Sequence, residues 1–404
     1  MTDITIAIPA RNASATVARA IRSALSQGDC PILLVNDWSD DDTERIARSE
    51  AGSRLTVVSP PEHRTVGLAR QTGLLAVETP YLVWLDADDE LLPGRVARMR
   101  QAFRQDAADI VCDGVEMIDG STGRRMHVAS IPPFLDRTAP LTRQFERNYL
   151  PGVSMIGLCV AFARSVGYDG DLHGGEDSDF LLRCAFKTPR VRLLPDTGYR
   201  MYAYPTSLSR GIEAQHAGVR RSLEKYRYED VRQLFEDTGY PPAIARWSLV
   251  SMAVFRDDFA RALLFLDEIE AASADPALVI EPDGPSPYQE GWRLAFHRGT
   301  LELLVGRNES AGVHLETAER MRPTAEGANN LGVAHARTGR MQDAAAQFAL
   351  SLDRFAGFLD ARLNLEGRQP LRITTHPLRR HRIRDDYVPA NATPGAAGSA
   401  PPSG

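Results

Sequence analysis

The segment Asp86-Ala87-Asp88-Asp89 closes the apolar run Tyr81-Leu82-Val83-Trp84-Leu85 with a cluster of carboxylates. Carboxylates this close repel one another unless they are solvated, protonated or bridged by a cation. An oxygen-only set suits a hard ion such as Mg2+ or Mn2+, and Mg2+ is typically held by one or two carboxylates together with substrate phosphates. The chemistry expected of this strand end is the handling of a metal-bound diphosphate. The alternative is a solvated strand-to-helix turn in which Asp89 caps the helix containing Val96 and Met99. Asp-x-Asp recurs at Asp40/Asp42, Asp169/Asp171 and Asp177/Asp179, so it is the preceding strand that sets Asp86 and Asp88 apart.

A second acidic segment reads His173-Gly174-Gly175-Glu176-Asp177-Ser178-Asp179-Phe180-Leu181-Leu182. Glu176 and Asp177 stand at the entrance to a helix carrying Phe180, Leu181 and Leu182. A carboxylate there either caps free N–H groups or serves as a general base held at a cleft edge. Gly174 and Gly175 permit close backbone approach.

Both segments need a scaffold. Thr5 to Ile8, Ile32 to Val35, Leu55 to Val58 and Tyr81 to Leu85 are short β-type apolar runs. Between them Ala13 to Leu25, Thr43 to Ala51 and Gly67 to Val77 follow helical periodicity, with Val17, Ala20, Ile21 and Ala24 on one face. Repeated β-α-β with strands apolar on both faces predicts an α/β fold with a mostly parallel central sheet covered by helices. Ligands bind such sheets beyond the carboxyl ends of the strands. Pro9 to Asn12, Asn36-Asp37 and Asp86 to Asp89 all fall at such ends.

From about Pro241 the pattern is helical only. Gly299, Gly306, Ala311, Leu315, Ala318 and Pro323 align with Gly332, Gly339, Ala344, Phe348, Ser351 and Ala356 at a spacing of 33 residues (332 − 299). Small residues at fixed places allow antiparallel helices to approach, and large apolar ones fill between repeats. Ala262 and Leu266 fit an earlier, degenerate copy followed by the Pro-rich stretch 275–287. The expected division is residues 1–235 for the α/β domain and 236–367 for an all-α helical repeat domain. Residues 368–404 form a basic, then Pro/Ala/Gly-rich tail of disordered composition, with Arg379, Arg380, Arg382 and Arg384 in its basic part.

Composition narrows the function. The chain has 404 residues, a net charge of −6 and 43% hydrophobic residues. Its pI of 5.9 argues against general nucleic-acid or anionic-membrane binding. The longest nearly uncharged apolar stretch, 152–163, is short of the ~20 residues of a membrane span, and no secretory leader is visible. Four scattered cysteines without a Cys-x-x-Cys pair fit neither a zinc site nor a disulfide framework, so a cytoplasmic location is expected. Phosphate-loop, dinucleotide-binding and zinc-protease motifs are missing.

In their surroundings these segments resemble the family 2 glycosyltransferases of the GT-A fold. Ile6-Ala7-Ile8-Pro9-Ala10-Arg11-Asn12 is similar to that family's opening strand and loop, and Val35-Asn36-Asp37-Trp38-Ser39-Asp40 to its Val-Asn-Asp-Gly-Ser turn. Gly67-Leu68-Ala69-Arg70-Gln71 resembles its Gly-x-x-x-Ala-Arg-Asn helix. Asp86-Ala87-Asp88 matches its Asp-x-Asp motif, and Glu176-Asp177 its Glu-Asp pair. The resemblance covers roughly residues 1–210, in the family's order. Trp38 replaces a usual glycine and Gln71 a usual asparagine. The repeat around Asn330-Leu331-Gly332, Gly339, Ala344 and Phe348 resembles the tetratricopeptide repeat, with His335 where an aromatic is usual.

The resemblance implies a nucleotide-diphosphate-sugar donor, UDP-linked by family habit. Pro9, Ala10, Arg11 and Asn12 would line the nucleoside site, and Asp37 would accept the base N–H. Arg70, Asp86, Ala87, Asp88 and Arg210 would meet the rest of the donor. Mn2+ or Mg2+ would sit on Asp88 and Asp86, with His216 as a further ligand. Asp177, or its neighbour Glu176, would deprotonate an acceptor and invert the anomeric centre. The acceptor expected is a saccharide or other glycoconjugate, with a peptide, including a cysteine thiol, as the alternative. The repeat domain would hold that acceptor, brace the catalytic domain or form a homodimer. An inactive scaffold and a nucleotidyltransferase are the competing classes.

Overall fold

A computed structural model of the chain describes residues 3–131, 135, 139–146, 149–150, 152–204, 212–273 and 290–375. Arg210, the Pro-rich stretch 275–287, the basic cluster at 379–384 and the tail beyond it lie outside the described residues.

The chain divides into two compact units, Met1–Tyr204 with Ala214–Leu294, and Pro205–Glu213 with Ala295–Gly404. The first opens with β1 (Ile4–Ala10), α1 (Val17–Leu25), β2 (Ile32–Asn36), α2 (Thr43–Ala51), β3 (Leu55–Val58), α3 (Val66–Ala76) and β4 (Tyr81–Trp84). It continues with β5 (Glu90–Leu91), α4 (Arg95–Asp106), β6 (Ile110–Asp119), β7 (Arg125–Ala129), β8 (Ile156–Cys159), α5 (Val160–Val166), α6 (Glu176–Ala185) and β9 (Val191–Ala203). The strands form one nine-stranded sheet in the order β3-β2-β1-β4-β8-β6-β9-β5, with β7 on β6.

The strands read from the sequence, β3-β2-β1-β4, are parallel, with Ile6 between Ile32 and Val83. β6 and β9 are also parallel, while β8, β5 and β7 join antiparallel. Ile4, Ile6, Ile8, Leu34, Val35 and Val83 are fully buried because helices cover the sheet. α1 turns Val17, Ala20, Ile21 and Ala24 inward, the stripe its periodicity predicts.

Helices α7 (Ile212–Glu224), α8 (Tyr228–Asp237), α9 (Pro242–Phe255) and α10 (Phe259–Ser273) follow. The sequence pattern groups α9 and α10 with the repeat, yet both cluster in the first unit. The reason is α9, which buries Ile244, Trp247, Leu249, Val250 and Met252 on several sides and packs on the 3-10 turn Pro140–Phe145. Ala262 and Leu266 are buried on α10. The units divide within α11 (Glu290–Leu304).

The second unit continues through α12 (Asn308–Met321), α13 (Ala325–Arg337), α14 (Met341–Arg354) and α15 (Leu359–Leu365). Its repeat is visible in the packing. A Cβ on Gly299 would stand 2.6 Å from Leu315 Cγ and 2.9 Å from the Ala311 carbonyl oxygen. A Cβ on Gly332 would stand 2.6 Å from Phe348 Cε1 and 3.2 Å from the Ala344 carbonyl oxygen. The same three positions, one period apart, make the same close helix crossing. Among the described residues no helix is long and apolar enough to cross a membrane.

Candidate active site

The carboxyl ends of β1, β2 and β4 bring three polar loops together. After β1, Asn12 takes a left-handed φ of 48°, and its side-chain oxygen accepts the Asp40 N–H at 3.0 Å. Ser39 and Thr43 hydroxyls receive the Asn12 and Ala13 N–H groups in return. Ala10 is buried beneath this loop and Arg11 is exposed on it. After β2, Trp38 has a φ of 55°, the left-handed region that explains why glycine suits this place. Its indole N–H donates to the Pro60 carbonyl at 3.1 Å.

Asp37 is 5% exposed. His63 Nδ1 bonds its Oδ2 at 2.9 Å, while its Oδ1 is buried without a hydrogen-bond partner among the described residues. A buried carboxylate oxygen left unsatisfied is costly. The Asp37 Oδ1 is thus an acceptor left open at the carboxyl end of β2.

Arg70 ties the two acidic segments into one site. It comes from α3, whose first turn is capped by Thr65 accepting the Leu68 N–H at 3.0 Å. Gly67 lets that turn approach α6: a Cβ there would stand 2.3 Å from the Asp169 carbonyl oxygen and 3.4 Å from Glu176 Cβ. The buried guanidinium donates to Asp86 Oδ1 at 2.9 Å and Ser154 Oγ at 3.1 Å, and lies 3.8 Å from Glu176 Oε1. Burial opposes its charge, but Asp86 and Glu176 outweigh burial and hold it protonated. Gln71, in place of the usual asparagine, accepts the Tyr168 N–H at 2.7 Å. Trp84 is wholly buried and bonded to the Tyr168 hydroxyl, a core residue.

The acidic strand end carries more negative charge than its protein neighbours offset. Burial, then the Asp86 charge, raises Asp88 to about 6, with Arg19 a weaker opposing influence. The same causes, with Asp88 added, push Asp89 well above the usual range. Asp89 does not cap α4, whose N-cap is Gly94. It accepts the Tyr199 hydroxyl at 2.7 Å and the Tyr202 N–H at 2.8 Å, and so fixes the loop from behind. Ala87 is buried between the aspartates.

Glu176 and Asp177 open α6 behind Gly175. Gly175, at a φ of 74°, lies close to α7: a Cβ on it would stand 3.0 Å from the Val219 backbone nitrogen, and Gly218 of α7 is itself required, since a Cβ there would stand 1.9 Å from the Gly174 carbonyl oxygen. Burial, then the Asp177 charge, raises Glu176 to about 7 against Arg70. Asp177 is raised chiefly by burial, with Asp86 contributing and the Ser178 N–H and Arg70 opposing. Asp177 Oδ1 accepts that Ser178 N–H at 2.8 Å.

A metal would be received by Asp86 and Asp88. Their all-oxygen chemistry and the raised proton affinity of Asp88 fit a hard divalent cation, which relieves the repulsion protonation otherwise relieves. Among the described residues no three His, Cys, Asp or Glu side chains form a complete cage, so substrate oxygens or water would complete the shell. His216 rests its ring on Phe255 at a centroid distance of 5.5 Å.

A pH dependence follows. Glu176 and Asp88 bind protons more tightly folded than unfolded. Their stabilising contribution is complete below their ordinary values of 4.5 and 3.8, and is lost as pH rises through about 7 and about 6. The metal-free protein is therefore expected to lose Tm between about pH 4 and pH 7. Mn2+ should recover part of it, and Glu176→Gln should flatten the slope. Calorimetric scans across this window check it; an identical slope in the variant would remove Glu176 from the account.

Several site residues are invisible in the sequence. Arg19 of α1 donates to the Asp88 carbonyl and lies 3.7 Å over the Tyr202 ring. Ser154, Tyr199, Tyr202 and His63 are recruited from distant segments, and no local motif marks them.

On this α/β sheet, Arg70 joins the acidic end of β4 to the Glu-Asp start of α6. Residues 5–166 match the Glycosyl transferase family 2 profile, and that segment is a glycosyltransferase family 2 domain. The succinoglycan biosynthesis protein ExoU of Rhizobium meliloti (strain 1021) is 30% identical over 227 residues, 52% of this chain and 64% of its own length. The succinoglycan biosynthesis protein ExoO of the same organism is 25% identical over 235 residues, 53% of this chain and 64% of its own. The chain thus spans just under two thirds of these relatives. The crystal structure of S. aureus TarS 1-349 in complex with UDP-GlcNAc aligns with a TM-score of 0.48 at 14% identity, covering 88% of this chain and 93% of that one.

Proposed function

We propose that the first unit transfers a sugar, with inversion, from a nucleoside-diphosphate donor to a hydroxyl acceptor on a saccharide or glycoconjugate. The observation that carries this reading is the Arg70 guanidinium, which contacts Asp86 at 2.9 Å and Glu176 at 3.8 Å and so puts the acidic strand end and the Glu-Asp pair in one site. The family 2 domain and two relatives named for succinoglycan biosynthesis support a saccharide acceptor.

The unsatisfied Asp37 oxygen accepts the imide N–H of a uracil-type base, beside the Pro9–Asn12 loop. Asp86 and Asp88 would hold Mn2+ or Mg2+, whose positive charge, when bound, offsets the charge gathering on the diphosphate. Asp177 takes the acceptor's hydroxyl proton as that oxygen forms its bond to the anomeric carbon. The bond from that carbon to the diphosphate oxygen breaks on the opposite face, and the nucleoside diphosphate leaves with the electron pair. Burial raises the proton affinity of Asp177 above the usual carboxylate range, which makes it a stronger base than a solvated carboxylate.

A thermal-shift panel of nucleotide-sugars with and without Mn2+ tests the reading, together with release of nucleoside diphosphate. A UDP-sugar should raise Tm in a metal-dependent way, the wild type should slowly hydrolyse it, and Asp88→Ala should abolish both effects. A chain that neither gains Tm nor turns over any donor is a scaffold.

A further inference from the structure

We propose that His63 selects the base of the donor: by tying up one oxygen of Asp37 it leaves a single open acceptor, which suits a base with one ring N–H, such as uracil or thymine, and turns away guanine. The inference rests on the donor reading above and adds to it the residue that discriminates among bases.

The two carboxylate oxygens of Asp37 are in unlike states. His63 Nδ1 bonds Oδ2 at 2.9 Å, whereas Oδ1 is buried with no hydrogen-bond partner among the described residues. A carboxylate only accepts, so Nδ1 carries the proton of that bond. The Asp37 side chain is 7% exposed and that of His63 43%. An exposed imidazole therefore covers a buried carboxylate at one oxygen only. Burial by itself gives no reason to leave the other oxygen bare.

The contact is held from both partners. The Asp37 backbone N–H donates to the Ala10 carbonyl at 2.9 Å, which fixes the residue against the end of β1. The loop that brings His63 is pinned on either side of it. The Pro60 carbonyl accepts the Trp38 indole N–H at 3.1 Å, and the Thr65 hydroxyl donates to the Gly170 carbonyl at 2.7 Å. Trp38 is the chain neighbour of Asp37, so the turn after β2 anchors the loop that engages its carboxylate.

The bases differ at the edge that would meet Asp37. Uracil and thymine offer one ring N–H between two carbonyls. Cytosine and adenine offer a ring-nitrogen lone pair there, which a carboxylate repels. Guanine offers N1–H with the N2 amine beside it, a two-donor edge that matches both oxygens of a free carboxylate. With Oδ2 engaged, a guanine seated on Oδ1 brings its amine against the His63 N–H, donor to donor, and leaves it without an acceptor. A donor left unpaired in a closed site is a strong ground for rejection. Asp37 thus excludes cytosine and adenine, and His63 excludes guanine, by repulsion rather than by added attraction.

The test measures binding of UDP, GDP and IDP to the full chain with Mn2+ by isothermal titration calorimetry. IDP carries hypoxanthine, a purine with the N1–H and carbonyl of guanine and no amine, so it separates the hydrogen-bond pattern from the size of the base. Wild type should bind IDP at least ~10-fold more tightly than GDP, the worth of one hydrogen bond to a charged group. His63→Ala should close that gap by raising the affinity for GDP. His63→Asn, whose amide nitrogen can replace Nδ1 as the donor to Oδ2, should restore it. A purely structural His63 would weaken all three ligands alike in His63→Ala. An unmoved ratio of IDP to GDP affinity in that variant, or a gap that His63→Asn leaves closed, overturns the proposal. So does a wild type that binds UDP yet holds IDP and GDP equally or rejects both; in each of these cases UDP binding leaves the donor reading standing. A wild type that binds no nucleotide overturns both.

Discussion

Asp177→Asn is expected to lower sugar transfer by about 10²–10⁴-fold, the usual worth of a positioned general base, while Mn2+ and the nucleotide-sugar still raise Tm. Asp177 sits in the first turn of α6 with one carboxylate oxygen held by the Ser178 N–H, so its direction is set by backbone. An asparagine keeps that shape and accepts no proton. Glu176→Gln provides the contrast. Glu176 lies against Arg70, so its loss alters the charge around Asp86 and should reduce transfer less than Asp177→Asn. The acidic limb of the rate–pH profile should move in Glu176→Gln and vanish in Asp177→Asn. A variant pair with the opposite ranking would assign the proton transfer to Glu176.

The second large effect is on stability. Arg95 and Asp113 form a two-bond ion pair at 2.8 and 2.9 Å with both side chains wholly buried. Asp113→Ala should cost about 3–5 kcal/mol, because a buried guanidinium is left without its counter-charge. The neighbourhood cannot close around the loss: Gly198 is pressed against the pair, with a Cβ there only 1.8 Å from Asp113 Oδ2. Arg95→Met with Asp113→Leu should recover most of the stability, since apolar replacements of a buried pair are often tolerated. Urea unfolding of the two variants checks both statements. Catalysis should remain impaired in the double variant. Arg95 lies under the Tyr199 ring and bonds the Ser154 carbonyl at 3.3 Å, and Tyr199 and Ser154 in turn hold Asp89 and Arg70. Equal stability of the single and double variants would mean that the pair is neutral.

What the sequence makes legible is local. Parallel strands β1 to β4 are contiguous apolar runs with polar ends, so Asp37, Asp86 and Asp88 can be placed from their neighbours alone. The 33-residue repeat is likewise a pattern in one line of residues. The antiparallel strands β5, β7 and β8 are not, because their partners lie far along the chain and β5 has only two residues. The same applies to Arg19, which reaches Asp88 across 69 positions, and to the Tyr199–Asp89 bond across 110. Trp38 shows the converse. A bulky residue in a left-handed turn looks like a departure from pattern, yet the turn persists because the indole is tethered to Pro60. The helical boundary placed at residue 236 marks a change in composition, whereas compactness follows the apolar faces of α9, which belong with the sheet-bearing unit.

The matched crossings at Gly299 and Gly332 make the second unit a modular ruler. In such an array each period touches only its neighbours, so cohesion accumulates step by step rather than through one shared centre. Inserting a whole period of 33 residues would preserve every local crossing and change only the span, while a single added residue would throw the register out.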